Sequence, residues 1–130
     1  MTSVAYHGSV EPAPAIARAL QQALRSWDHL LEWLPIGIYA CDRDGRLVQY
    51  NHRAAELWGY APALGDEQRR FCGAHKAYRP NGEPLPLSET PMAELLGTRR
   101  PIRGRELDIE RPDGTRLTIL GNLDPLFDED

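Results

Sequence analysis

Cysteine is scarce in this chain, with only Cys41 and Cys72 among 130 residues. A disulfide framework is excluded, and in a reducing compartment both are expected to be free thiols, Cys41 a buried one. Long apolar runs are lacking as well. Nothing approaches the roughly 20 apolar residues of a membrane span, and no basic segment with an apolar stretch behind it opens the chain. The sequence therefore predicts a cytoplasmic protein with no membrane partner. Charge of one sign is also missing: 15 Lys and Arg stand against 19 Asp and Glu, for a net −4. The arginines are scattered among acids, so no phosphate-binding face and no nucleic-acid partner is expected. No P-loop lysine follows a glycine-rich turn and no Ser-His-Asp order stands out. With no such anchor the chain is not expected to be an enzyme.

What is present fits one domain. Hydrophobic residues make up 42% and charged residues 26% of the chain, enough to bury a single interior without a metal or a staple. Residues 1–13 are small, polar and proline-bearing, and predict a flexible lead-in. Over 14–34, Ile16, Leu20, Ala23, Trp27, Leu30 and Leu34 recur at alternating steps of four and three, the stripe of an amphipathic helix that Pro35 stops. This heptad rhythm suits a dimer seam, and it equally suits a helix lying on its own domain.

From residue 35 the pattern becomes strand, turn, strand. Ile36–Cys41 and Leu47–Tyr50 flank Asp42-Arg43-Asp44-Gly45, whose Asp-Gly pair suits a tight turn. Asn51 is placed to cap a helix carrying Ala54, Leu57 and Trp58 on one face, ended by Gly59 and Pro62. Residues 61–87 hold Gly65, Gly73, Pro80, Asn81-Gly82, Pro84 and Pro86 and predict irregular chain with short helical turns. Thr90-Pro91 reads as a cap with proline at the first helical position, before Met92, Leu95 and Leu96, and Gly97 as its end. A second hairpin follows, in which Leu107 and Ile109 alternate with Glu106, Asp108 and Glu110, and Arg116–Leu123 returns after Pro112-Asp113-Gly114.

Two hairpins separated by short helices imply an α+β fold, an antiparallel sheet covered on one face. The stretch Leu34-Pro35-Ile36-Gly37-Ile38-Tyr39, Asp42-Arg43-Asp44-Gly45, Leu47-Val48-Gln49-Tyr50-Asn51 and Ala54-Ala55-Glu56-Leu57-Trp58-Gly59-Tyr60 resembles the opening of bacterial PAS domains. Phe71-Cys72-Gly73, Arg79-Pro80-Asn81-Gly82, Pro91-Met92 and Glu110-Arg111-Pro112-Asp113-Gly114 resemble the input domains of sensor histidine kinases. The resemblance spans 34–128 and rests on the order of these pieces. It implies a five-stranded sheet over a small cavity, with a preceding helix that mediates dimerisation. It also implies a final strand in mid-sheet, which is missing here: four strands are visible, and 35–130 read as a PAS-like domain truncated at its C-terminus. The empty slot calls for residues 4–10, with Val4, Tyr6 and Val10, or for a second copy; the plainer account is a piece of a longer protein.

By the same resemblance Ile38, Tyr39, Tyr50, Trp58, Phe71, Met92, Leu95, Leu107 and Ile119 are the candidate ligand-binding residues, with Tyr39, Tyr50 or Asn122 orienting a ligand. Close-packed interiors usually fill themselves, so the same residues equally make a plain core. An unknown small ligand fits the first reading; haem and flavin find no support in the motifs. Cys72 and His75 have the spacing of a metal half-site but no second pair, so no metal is expected. The function implied is signal input to a longer signalling protein with its own output domain, a histidine kinase or similar regulator, acting as a homodimer. The alternative is a protein-interaction module with a filled core.

Overall fold

The computed structural model describes residues 2–7, 32 and 34–126. Among them the elements run β1 (Thr2–His7), β2 (Gly37–Asp42), β3 (Leu47–Tyr50), α1 (His52–Trp58), β4 (Lys76–Tyr78), α2 (Pro91–Thr98), β5 (Ile102–Glu110) and β6 (Arg116–Leu126). Single 3₁₀ turns lie at Glu67–Arg69 and Leu87–Glu89. The strands form one antiparallel sheet in the order β3-β2-β1-β6-β5-β4. An α+β fold with two short helices is thus present. The amphipathic stripe lies outside the described residues apart from Leu34, which is half-buried.

Both hairpins close on local chemistry. In the first, the Asp42 carboxylate accepts from the backbone N–H of Asp44 and of Arg46, and Gly45 holds φ +83, a conformation that costs glycine least. In the second, the Asp113 carboxylate accepts from Thr115 N–H and Oγ1 while Gly114 N–H returns to Arg111 C=O. Asn51 caps α1 as expected, its Oδ1 accepting from Ala54 N–H. It does more, because the same oxygen accepts from Ile38 N–H and its Nδ2 donates to Ile36 C=O, pinning α1 to the start of β2.

Three expectations are corrected. Four strands become six, because the lead-in over 1–13 contains β1 and the irregular stretch 61–87 contains β4. β1 lies in the middle of the sheet, paired to β2 on one side and β6 on the other, with Tyr6 opposite both Ile38 and Asn122. The physical reason is the one that made an empty slot untenable: facing edges of two ribbons carry backbone donors and acceptors that need partners. Helix α2 runs past Gly97 to Thr98 and is capped by Arg99 at φ +59, whose N–H returns to Leu95 C=O. Its N-cap differs too, since the Thr90 hydroxyl donates to Leu87 C=O and accepts no bond from a helix N–H.

The core lies between the helices and the inner face of the sheet. Tyr39, Cys41, Leu107, Ile109, Ile119 and Leu123 of the sheet meet Ala54 and Trp58 of α1 and Met92 and Leu95 of α2. Strand alternation puts Ile38, Ala40, Asn122 and Asp124 on the opposite face, where they are also buried. Farther along that face Glu106, Arg116, Thr118 and Leu120 are exposed.

Candidate functional site

Trp58 is the centre of the interior. It is 1% exposed and packs edge-on against Tyr39 and Tyr50, each with ring centroids 5.4 Å away. A chain segment, residues 71–74, closes over it. Gly73 lies so near the indole that a Cβ there would stand 2.5 Å from the ring. Side chains tie this strap down: Tyr39 OH donates to Phe71 C=O (3.2 Å), and Tyr60 OH to Gly73 C=O (2.6 Å). Phe71 N–H donates to Gly45 C=O (2.7 Å), and the Phe71 ring covers Gly45. Phe71 holds φ +73, a conformation that costs an aromatic residue and persists only because these contacts over-determine it.

Of the residues expected to line a pocket, Tyr39, Trp58, Met92, Leu95, Leu107 and Ile119 meet in this core, with Tyr50 and Phe71 packed against its margin. Ile38 does not join them. It alternates with Tyr39 and Cys41 and so faces the other side of the sheet, as does Asn122 relative to Gly121 and Leu123. Asn122 is therefore no ligand-orienting group for the interior; its Oδ1 accepts from Gly104 N–H, where β5 carries a bulge. The Tyr50 hydroxyl is likewise committed, donating to Pro62 C=O at 2.8 Å.

An enclosed cavity remains beside Tyr39, Leu107 and Ile119, and its volume is about 10 Å³. A single water needs roughly that much. Its other walls are Cys72, Thr90, Pro91, Gly121 and Leu123, none of them among the expected pocket residues. Leu123 was the most accessible of these, since it continues the two-residue period of Ile119. Cys72 and Thr90 sit in segments without periodicity, so no local signal marks them.

Burial dominates the electrostatics of this interior. It pushes the Tyr39 phenol well above 10.0, with the two neighbouring thiols adding in the same direction. Burial also raises the Cys41 thiol far above its ordinary value and raises Cys72. Both thiols therefore stay protonated at neutral pH, a state in which sulfur is a poor nucleophile. Among the described residues no three His, Cys, Asp or Glu side chains gather as a metal-binding group. Among them, too, no helix is long and apolar enough to cross a membrane.

The model of the PAS domain family matches residues 24–88, half of the chain. The chain belongs to the PAS domain family. The match takes in β2, β3, α1 and β4 together with the strap over Trp58. No curated protein and no solved structure matches the chain.

Proposed function

We propose that this PAS domain is a cytoplasmic signal-input module whose trigger is a protein partner, most simply a second copy of itself, and that it serves a histidine kinase or similar regulator without catalysing a reaction. The observation that carries this reading is the filled interior: the side chains expected to line a pocket, Ile38 excepted, occupy it or its margin, and the cavity left beside Tyr39 is about 10 Å³. Organic ligands of the usual kind need several hundred Å³. An interior this full favours a signal carried by packing.

The topology supports a relay towards the N-terminal segment. Among the described residues β1 is the one strand joining the β2–β3 ribbon to the β6–β5–β4 ribbon, so a shift between them is felt at β1. His7, at its end, pairs with both Gly37 and Gly121. The chain therefore leaves the sheet after His7 and re-enters it at Gly37, on neighbouring central strands, and the stripe of Ile16, Leu20, Ala23, Trp27, Leu30 and Leu34 lies between these two points in sequence.

Native mass spectrometry tests this reading. The expected result is a dimer whose mass equals two bare chains, and a monomer of unchanged circular dichroism for the double substitution Leu20→Asp and Trp27→Asp. A retained organic mass, or a dimer that survives the double substitution, would overturn it.

A further inference from the structure

β1 enters the sheet on different terms from its neighbours. Every residue from Thr2 to His7 stands in register with β2 on one side and β6 on the other, Ala5 facing both Tyr39 and Leu123. Yet neither neighbour is close in sequence, since residues 8–36 separate β1 from β2. The other hairpin pairs are tied tightly, β2 to β3 by residues 43–46 and β5 to β6 by residues 111–115. Such short turns confine a pairing to one chain. A connection as long as residues 8–36 does not, because each residue spans about 1.5 Å in a helix and about 3.4 Å when extended, which is enough to reach an adjoining molecule.

The slot between β2 and β6 recognises a strand by its main-chain donors and acceptors, and these are identical in every copy. What separates the two closures is the connection. When β1 stays in its own chain, the stripe of Ile16, Leu20, Ala23, Trp27, Leu30 and Leu34 has no second stripe beside it. When β1 crosses to a second copy, the two connections pass each other between the molecules and the two stripes meet. The stripe is shorter than three heptads, a weak seam alone. Exchange adds to it the pairing of two complete strands, on both sides of each.

We propose that two copies exchange β1, Thr2–His7 of each filling the slot between β2 and β6 of the other, with residues 8–36 crossing at the dimer axis. This rests on the partner-driven reading above and gives it a mechanical form: movement between the ribbons of one copy is felt by a strand that belongs to the other. It also accounts for a folded monomer in the Leu20→Asp, Trp27→Asp variant, where β1 returns to its own slot with the same register.

Carbon-13-labelled and unlabelled chains, denatured together and refolded as an equal mixture, provide the test by isotope-filtered NOE spectroscopy. Expected are NOEs between copies that join Ala5 to Leu123 and to Tyr39. In the double variant these should vanish from the filtered spectrum and persist as contacts within one chain. Native labelled and unlabelled dimers mixed without denaturant should gain the filtered NOEs only slowly, because β1 must leave the sheet to change copies. A dimer in which every Ala5 contact lies within one chain would overturn the exchange and leave the partner-driven reading standing. A chain that is monomeric at NMR concentration would overturn both.

Discussion

At the scale of single residues, two features of the interior make firm demands. Gly73 is required by proximity, because the Trp58 ring occupies the space a side chain would need and the strap cannot lift without losing its ties to Tyr39 and Tyr60. Gly73→Ala should therefore lower the unfolding free energy by about 1–3 kcal/mol, as overpacking does, measured by chemical denaturation. Pairing it with Trp58→Phe, which shortens the ring, should cost less than the sum of the two single changes. The buried thiols make the second demand. At pH 7.5 native chain should resist iodoacetamide at Cys41 and Cys72, while denatured chain is alkylated at both; rapid labelling of the native form would contradict the burial that raises them. Because the folded thiols titrate above their unfolded value of about 9.0, their contribution is complete below that pH. Stability should then decline as pH rises beyond it.

Among the elements, β5 is the instructive one. Its acidic residues Glu106, Asp108 and Glu110 alternate with Leu107 and Ile109 on an inner strand flanked by β4 and β6. What the charges do is cross-strand pairing. Glu110 is bonded to Arg116 of β6, and Tyr78 of β4 lies under the Arg116 guanidinium at 3.9 Å, so one carboxylate helps hold three strands in register. Thr118 Oγ1 donates to Asp108 at 2.5 Å one step along. The hydrogen bond from Arg116 holds Glu110 below its ordinary 4.5. A lowered carboxylate supports the fold above the unfolded value, and that support fades as pH falls through the folded one. Carboxyl-carbon NMR should place the Glu110 midpoint below 4.5 in the native chain and move it upward in Arg116→Ala. An unmoved midpoint would mean the pair is decorative.

For the whole molecule the critical element is β1, which among the described strands is the one paired to both ribbons. Each net hydrogen bond stabilises by about 0.5–1.5 kcal/mol and leaving partners unmet costs more, against a total near 5–15 kcal/mol for a domain. Deleting residues 1–7 should thus abolish cooperative thermal unfolding followed by circular dichroism. A deletion variant that melts sharply within a few degrees of the full chain would show that the ribbons hold together through their side chains alone.

Much of this was legible in the amino-acid order because the relevant physics is local. The Asp44-Gly45 and Asp113-Gly114 turns, the Asn51 cap, Pro91 at the first position of α2 and the alternation of Leu107 with Ile109 each depend on neighbours within a few residues. So does the run of motifs from Leu34 to Tyr60 that marks the PAS family. The core membership of Trp58, Met92 and Leu95 follows from helical period. Local signals end there. Thr2–His7 has weak strand character by itself and takes extended form because two distant ribbons need a partner between them. Ile38 looks like any core residue until the pairing of β2 decides which face it has. Cys72 and Thr90 enter the cavity wall only because the chain around them is folded back over Trp58 and α2. Periodicity and capping chemistry are properties of adjacent residues and are written in the chain. Strand order, the choice of sheet face and the space left inside depend on segments far apart in sequence, and only the packed structure determines them.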